Sequence, residues 1–240
     1  AARAAAGQLE GAPGREVNEL TAWPVNPVVK VFQDDPPPTD AKNARLFAAR
    51  NEKEPLQLAV RSPEALKNVS VHVSEPKSSS GETLGNVQVG VVGYVPIDHK
   101  TSYYRTEEPT WHRFMPKKSG ACDGWAGMWP DPILPRRTFD LEPNTTQPVW
   151  LTVNVPKDAA PGDYAGTVRL TRKGKTLKEV PFTVHVWDFA LPNRNHVSAI
   201  YDLRLGREWR REGEPLQDVR QRFWRFMADY RACPDRIRPA

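Results

Sequence analysis

The chain has 240 residues, 39% hydrophobic and 26% charged, which leaves room for one sizeable domain and a smaller piece with the composition of an ordinary globular protein. No apolar run approaches the roughly 18 residues that a membrane helix needs, so a helical span is excluded. The net charge of +5 gathers late: residues 204–238 carry ten Arg and no Lys against six acids. Those acids are interleaved and the same stretch holds an apolar stripe, so it reads as a solvated helix and not as a nucleic-acid surface.

Residues 1–22 form an N-terminal tail. Its start, Ala1-Ala2-Arg3-Ala4-Ala5-Ala6-Gly7, reads either as the remains of an export or processing region or as a trimming artefact. On the first reading the protein is secreted or periplasmic.

A β domain is expected over residues 23–192. Strand signals fall at 28–32, 45–48, 56–60, 69–73 and 87–95, with the Asp34-Asp35-Pro36-Pro37-Pro38 and Ser78-Ser79-Ser80-Gly81 segments as breaks. Alternation is clearest late: Val149, Leu151, Val153 and Val155, then Val168 and Leu170, then Val180, Phe182, Val184 and Val186. Arg172-Lys173-Gly174-Lys175 supplies a hairpin turn between the last two runs. Prolines number 24, a tenth of the chain and about twice the usual share. Eight or nine strands with Pro and Gly punctuation predict a mainly β protein, an antiparallel immunoglobulin-like β-sandwich. Between 97 and 137 the alternation stops. Six aromatics, Tyr103, Tyr104, Trp111, Phe114, Trp125 and Trp129, concentrate there, and the stretch reads as a long loop.

From 193 to 240 the pattern changes. An apolar, β-prone run at 197–203 precedes a helix predicted to open at Pro215, the favoured first helical residue, and to run to about 231. Leu216, Val219, Phe223, Phe226, Met227 and Tyr230 form its stripe. Residues 235–240 read as the approach to another strand. Strand, helix and strand is how a (β/α) barrel or a doubly wound sheet begins, so the chain reads as a piece of a larger protein.

Chemistry-bearing residues are sparse. Cys122 and Cys233 lack Cys-x-x-Cys spacing, and His72, His99, His112, His185 and His196 lack metal-ligand spacing, so no metal site and no cofactor are indicated. His72 and His185 fall at outward strand positions. The adjacent acids Glu107-Glu108 and Asp34-Asp35 sit on polar or Pro-rich stretches and read as solvated.

Several segments carry a family resemblance: Asn51-Glu52-Lys53-Glu54-Pro55-Leu56-Gln57-Leu58, Val92-Gly93-Tyr94-Val95, Trp129-Pro130-Asp131-Pro132-Ile133-Leu134-Pro135, Gln147-Pro148-Val149-Trp150-Leu151-Thr152-Val153, Pro161-Gly162-Asp163-Tyr164-Ala165-Gly166-Thr167-Val168 and Val186-Trp187-Asp188-Phe189-Ala190-Leu191-Pro192. In this order they resemble the N-terminal β-sandwich of glycoside hydrolase family 123 and its bacterial relatives, from about residue 25 to residue 192. The resemblance implies that a (β/α)8 barrel follows, so that 193–240 is its incomplete start and the barrel is the sandwich's partner. It also implies a glycan substrate containing N-acetylhexosamine, cleaved at N-acetylgalactosaminide linkages with the substrate's own acetamido group as nucleophile. An adjacent Asp-Glu pair supports that chemistry, one carboxylate orienting the acetamido group and one acid protonating the leaving oxygen. This chain has no Asp-Glu dipeptide, so no catalytic residue is assigned and the chain reads as a non-catalytic N-terminal domain. A stand-alone carbohydrate-binding or structural sandwich is the alternative.

Four residues are candidates for contact with sugar. Trp125, Trp129 and Asp131 belong to the aromatic, proline-stiffened loop; if it reaches the C-terminal face of a barrel, it offers a ring for a pyranose face and a carboxylate for hydroxyls. The other reading of Trp129 is an anchor that fixes the loop to the sandwich. Asp202 is placed late on the first barrel strand, where strand ends feed the same face.

Overall fold

The computed structural model describes residues 19–40, 43–97, 127–194, 196, 200–201, 204–205, 210–234 and 238–239. The chain divides into two compact units, Ala1–Ala190 and Leu191–Ala240.

The first unit is built from ten strands: β1 Thr21–Val25, β2 Ala44–Arg50, β3 Lys53–Arg61, β4 Leu66–Val73, β5 Gln88–Ile97, β6 Gly127–Leu134, β7 Thr138–Leu141, β8 Thr146–Asn154, β9 Gly162–Arg172 and β10 Lys175–Ala190. They form two five-stranded sheets, in the orders β1-β3-β8-β5-β6 and β2-β10-β9-β4-β7. Alternation decides which side chains meet between them, because successive Cβ atoms leave opposite faces of a strand. Leu58 and Val60 of β3 and Val149, Leu151 and Val153 of β8 come from one sheet. Leu46 of β2, Val168 and Leu170 of β9 and Phe182 and Val184 of β10 come from the other, and all share one core.

Three expectations are corrected. The sandwich is not wholly antiparallel, since β10 runs parallel to β2, with Phe47 opposite His185 and Leu46 opposite Val184. Side-chain alternation is the same for either direction and carries no sign of it. Residues 28–32 are not a strand: Val28 is exposed, only Val31 is buried, and the segment belongs to an irregular strap from Asn26 to Pro38 that follows β1. The stretch 97–137 is not one loop, because its second half supplies β6 and β7, with Val95 opposite Trp129 and Tyr94 opposite Pro130. The remainder of that stretch, 98–126, lies outside the described residues.

Proline placement explains how so proline-rich a chain builds sheets. Pro24 is on β1 and Pro130 and Pro132 are on β6, the two edges of the first sheet, where a missing N–H breaks no ladder. Pro55 lies outside the paired stretch of β1, which meets β3 only at 57–61, and Pro181 lies one residue before β10 meets β2.

The second unit holds β11 Ile200–Tyr201, β12 Arg204–Leu205, helix α1 Leu216–Asp229, β13 Cys233–Pro234 and β14 Arg238–Pro239. β11 pairs with β13 and β12 with β14, both in parallel, so the chain runs strand, helix, parallel strand. Pro215 is at the N-cap with extended backbone, one position before the helix. The helix stops in a Schellman arrangement: Ala232 N–H donates to Met227 O at 2.9 Å and Arg231 N–H to Ala228 O at 3.0 Å, with Arg231 in the left-handed region at φ 54°. Val219 and Met227 of the predicted stripe are buried, while Phe226 and Tyr230 are exposed and pack on each other at 5.0 Å between centroids.

Gly166 shows how closely the core is fitted. It lies opposite Phe182 on β10, and a Cβ added there would strike that buried ring. Gly166→Ala is expected to destabilise the first unit by about 1–3 kcal/mol through overpacking, although alanine is otherwise the better strand residue. Chemical denaturation checks this; an unchanged midpoint would mean that the Phe182 ring yields freely.

Candidate functional site

The strap determines what the candidate residues do. An irregular segment has no ladder to satisfy its carbonyls, so side chains must supply the donors. Gln57, buried on the outer face of β3, donates its amide N–H to Asn26 O at 3.3 Å and Val29 O at 2.9 Å. Tyr94 Oη lies 3.1 Å from Val31 O and 3.0 Å from Thr146 O, its one proton shared between them. Arg61 Nη1 donates to Gln33 O at 3.4 Å, Asp35 O at 3.3 Å and Thr146 Oγ1 at 3.0 Å. Burial pushes the Tyr94 phenol well above its ordinary pKa, helped by the Asp35 and Asp34 carboxylates, so it stays a donor. Burial lowers the pKa of Arg61 while those two carboxylates oppose the shift. Beneath the strap, Trp23, Val31 and Ala59 make a second small core.

Two sugar-contact candidates lie against this strap. Trp129 meets Phe32 edge to face, with centroids 5.3 Å apart and planes at 80°. Lys30 Nζ donates to Pro130 O at 3.0 Å and stands 3.9 Å from Asp131 Oδ1. The Asp131 side chain is 73% exposed, so its carboxylate is open to water. Trp129 and Asp131 are therefore brought together, two residues apart on a strand and not on a loop. Trp125 and Asp202 lie outside the described residues, as do Glu107 and Glu108. Asp35, one of the adjacent acids, accepts the Phe32 N–H at 2.8 Å and shapes the strap.

A second cluster escaped the sequence reading. On the outer face of β2, β9 and β10, Arg45, Phe47, Asp163, His185 and Trp187 stand side by side. Phe47 and Trp187 stack at 5.9 Å with planes 22° apart, and His185 meets Trp187 edge to face at 4.5 Å. The Arg45 guanidinium lies over Phe47, 5.3 Å from its centroid. Asp163 joins the polar members: its Oδ1 is 2.6 Å from His185 Nδ1, and Arg45 Nη2 is 3.4 Å from both its oxygens. Phe47 is 49% and Trp187 44% exposed. Aromatic residues at alternate positions beside buried ones were the available signal, but only the parallel β2–β10 pairing brings them together.

Among the described residues no three His, Cys, Asp or Glu side chains are grouped to hold a metal, and no helix is long and apolar enough to cross a membrane. The geometry defines a two-sheet β domain in which one polar and aromatic group braces the strap and a second, around Trp187, faces solvent as an open surface. The glycoside hydrolase 123 N-terminal domain model matches residues 29–172, more than half of the chain, and the chain belongs to this family. No curated protein matches. Among solved structures, a family 123 glycoside hydrolase from Clostridium perfringens, described as acting in glycolipid glycan hydrolysis, aligns with TM-score 0.57 and 15% identity over 78% of this chain. This chain covers 30% of that one. The apo Calx CBD1 domain aligns at TM-score 0.27 and 12% identity, covering 60% of this chain and 92% of that one, too low to carry a fold inference.

The bracing of Trp129 is measurable. A double-mutant cycle of Phe32→Leu and Trp129→Leu is expected to give a coupling of about 0.5–1.5 kcal/mol, the range for an edge-to-face pair. Asp131→Asn should change stability by only a few tenths of a kcal/mol, because the exposed, long contact with Lys30 contributes little. Zero coupling in denaturation experiments would remove the bracing role.

Proposed function

We propose that this chain is the N-terminal, non-catalytic domain of an enzyme that hydrolyses N-acetylgalactosaminide linkages by substrate-assisted catalysis. The observation that carries the reading is the family match over residues 29–172, joined to a fold match that continues across most of the chain. The first unit is read as an immunoglobulin-like sandwich. Tyr164 supports this: it is buried near the start of β9 and donates its hydroxyl back to Ala160 O at 2.8 Å, as in the tyrosine corner of such domains. The second unit is read as the start of a (β/α)8 barrel, supported by the parallel pairing of the strands that flank α1. Secretion or export to the periplasm is part of the proposal, supported by the Ala-rich start.

In this reading the acid that protonates the leaving oxygen and the carboxylate that orients the acetamido group belong to the barrel, since residues 1–240 contain no Asp-Glu pair. Trp125, Trp129, Asp131 and Asp202 are the proposed sugar contacts from this part of the protein. Asp131 has the best support, with its carboxylate open to solvent beside a braced ring.

The test compares the full-length protein with residues 1–240 on a 4-nitrophenyl N-acetylgalactosaminide. Release of 4-nitrophenol is expected from the full-length protein alone. Turnover by residues 1–240 above a heat-killed control, or none by the full-length protein, would overturn the reading. In the full-length protein Asp131→Asn should raise KM several-fold, and an unchanged KM would remove Asp131 from the sugar site.

A further inference from the structure

We propose that the outer face around Trp187 is a pyranose-binding surface, on which a glycan chain lies with a ring face against Trp187, the indole backed by Phe47, and its hydroxyls on Arg45, Asp163 and His185. A pyranose presents polarised C–H groups on its faces and hydroxyls at its rim. The electron-rich face of an aromatic ring attracts the first. Charged and polar side chains around the ring take the second.

This surface offers both components, already fixed. Phe47 and Trp187 are held by mutual stacking and His185 by its edge contact with Trp187, so little side-chain entropy remains to be lost on binding. Asp163 is held between Arg45 and His185 and retains acceptor capacity. The indole N–H of Trp187 and the second ring nitrogen of His185 have no hydrogen-bond partner among the described residues, which leaves both open to sugar hydroxyls beside the rings.

The same arrangement argues against a dry protein partner. Asp163, Arg45 and His185 sit among the rings and not at a distant rim, and an apolar partner would strip water from an ion pair without replacing its hydrogen bonds. Interface centres are depleted in charged groups for this reason. Sugar hydroxyls both donate and accept, and can take the place of that water.

The inference rests on the proposed function only for the choice of probes, and its test reads binding by the 240-residue chain, without hydrolysis. Nitrogen-15 NMR would follow the indole N–H signals while N-acetylgalactosamine, chitotetraose or cellotetraose is added. The Trp187 signal, identified by its loss in Trp187→Phe, is expected to move saturably with at least one probe. Trp187→Ala and Phe47→Ala should each weaken that binding by roughly tenfold, with thermal midpoints lowered by no more than a few degrees, the protein staying folded at the temperature of the titration. A Trp187 signal that no probe moves, or equal affinity in Trp187→Ala, would overturn the proposal. So would a wild-type dimer that Trp187→Ala converts to monomer in sedimentation, because the face would then be a contact between copies of the chain.

Discussion

Strand β3 is buried on both faces, and this single constraint organises the first unit. Leu56, Leu58 and Val60 enter the core between the sheets, while Gln57 and Ala59 point the other way, beneath the strap. A slip of one residue would put Gln57 into the apolar core and Leu58 against strap carbonyls that need a donor, so two independent environments fix the register. β8 pairs with β3 along its whole length, from Lys53 opposite Asn154 to Arg61 opposite Thr146, and β5 pairs in turn with β8. The position of β6, and with it Trp129 and Asp131, therefore traces back to β3.

The strap explains why a plausible sugar pair is occupied with structure. Its backbone has no ladder, and Gln57, Arg61, Tyr94 and Lys30 converge on its carbonyls and on the neighbouring strand. An aromatic ring beside a carboxylate is what a pyranose requires, and it is equally what an irregular segment uses to dock, a ring for Phe32 and a carboxylate near Lys30. The two uses share one residue vocabulary. Trp129 and Asp131 separate once exposure is known: the ring is engaged and the carboxylate remains open.

The parts legible in the sequence were those where one face alone is buried. The alternation of β8, β9 and β10 placed their core residues directly, and the spacing in α1 placed Val219 and Met227. The parts that were not legible have physical causes. Residues 28–32 have the β-branched composition of a strand but lie across a sheet instead of beside a neighbour. β6 contains Pro130 and Pro132, which read as loop residues because tolerance of proline depends on an edge position invisible before the topology is known. The parallel approach of β2 to β10 joins residues more than a hundred positions apart, and nothing in either strand announces it. Of the four candidate contacts, Trp129 and Asp131 could be placed; Trp125 and Asp202 fall outside the described residues.

The outer faces of the two sheets also differ in a way that packing alone does not require. On the first sheet the outward ring of Trp129 is met by Phe32 of the strap. On the second, part of the face is an ordinary solvent surface, where Arg169 pairs with Glu179 at 2.7 Å and His72 meets Thr171 at 3.2 Å. Farther along the same strands Phe47 and Trp187 replace such polar pairs, both about half exposed, with the Arg45 guanidinium over Phe47. Neither ring belongs to the core, so neither is needed to hold the sheets together, and large apolar side chains gathered in water add a liability for association. Threonine or lysine would serve the sheet at those positions as well. The cluster is thus accounted for by what it presents to solvent, and the ion pair at its centre makes a hydroxyl-bearing ring a better match than a dry surface.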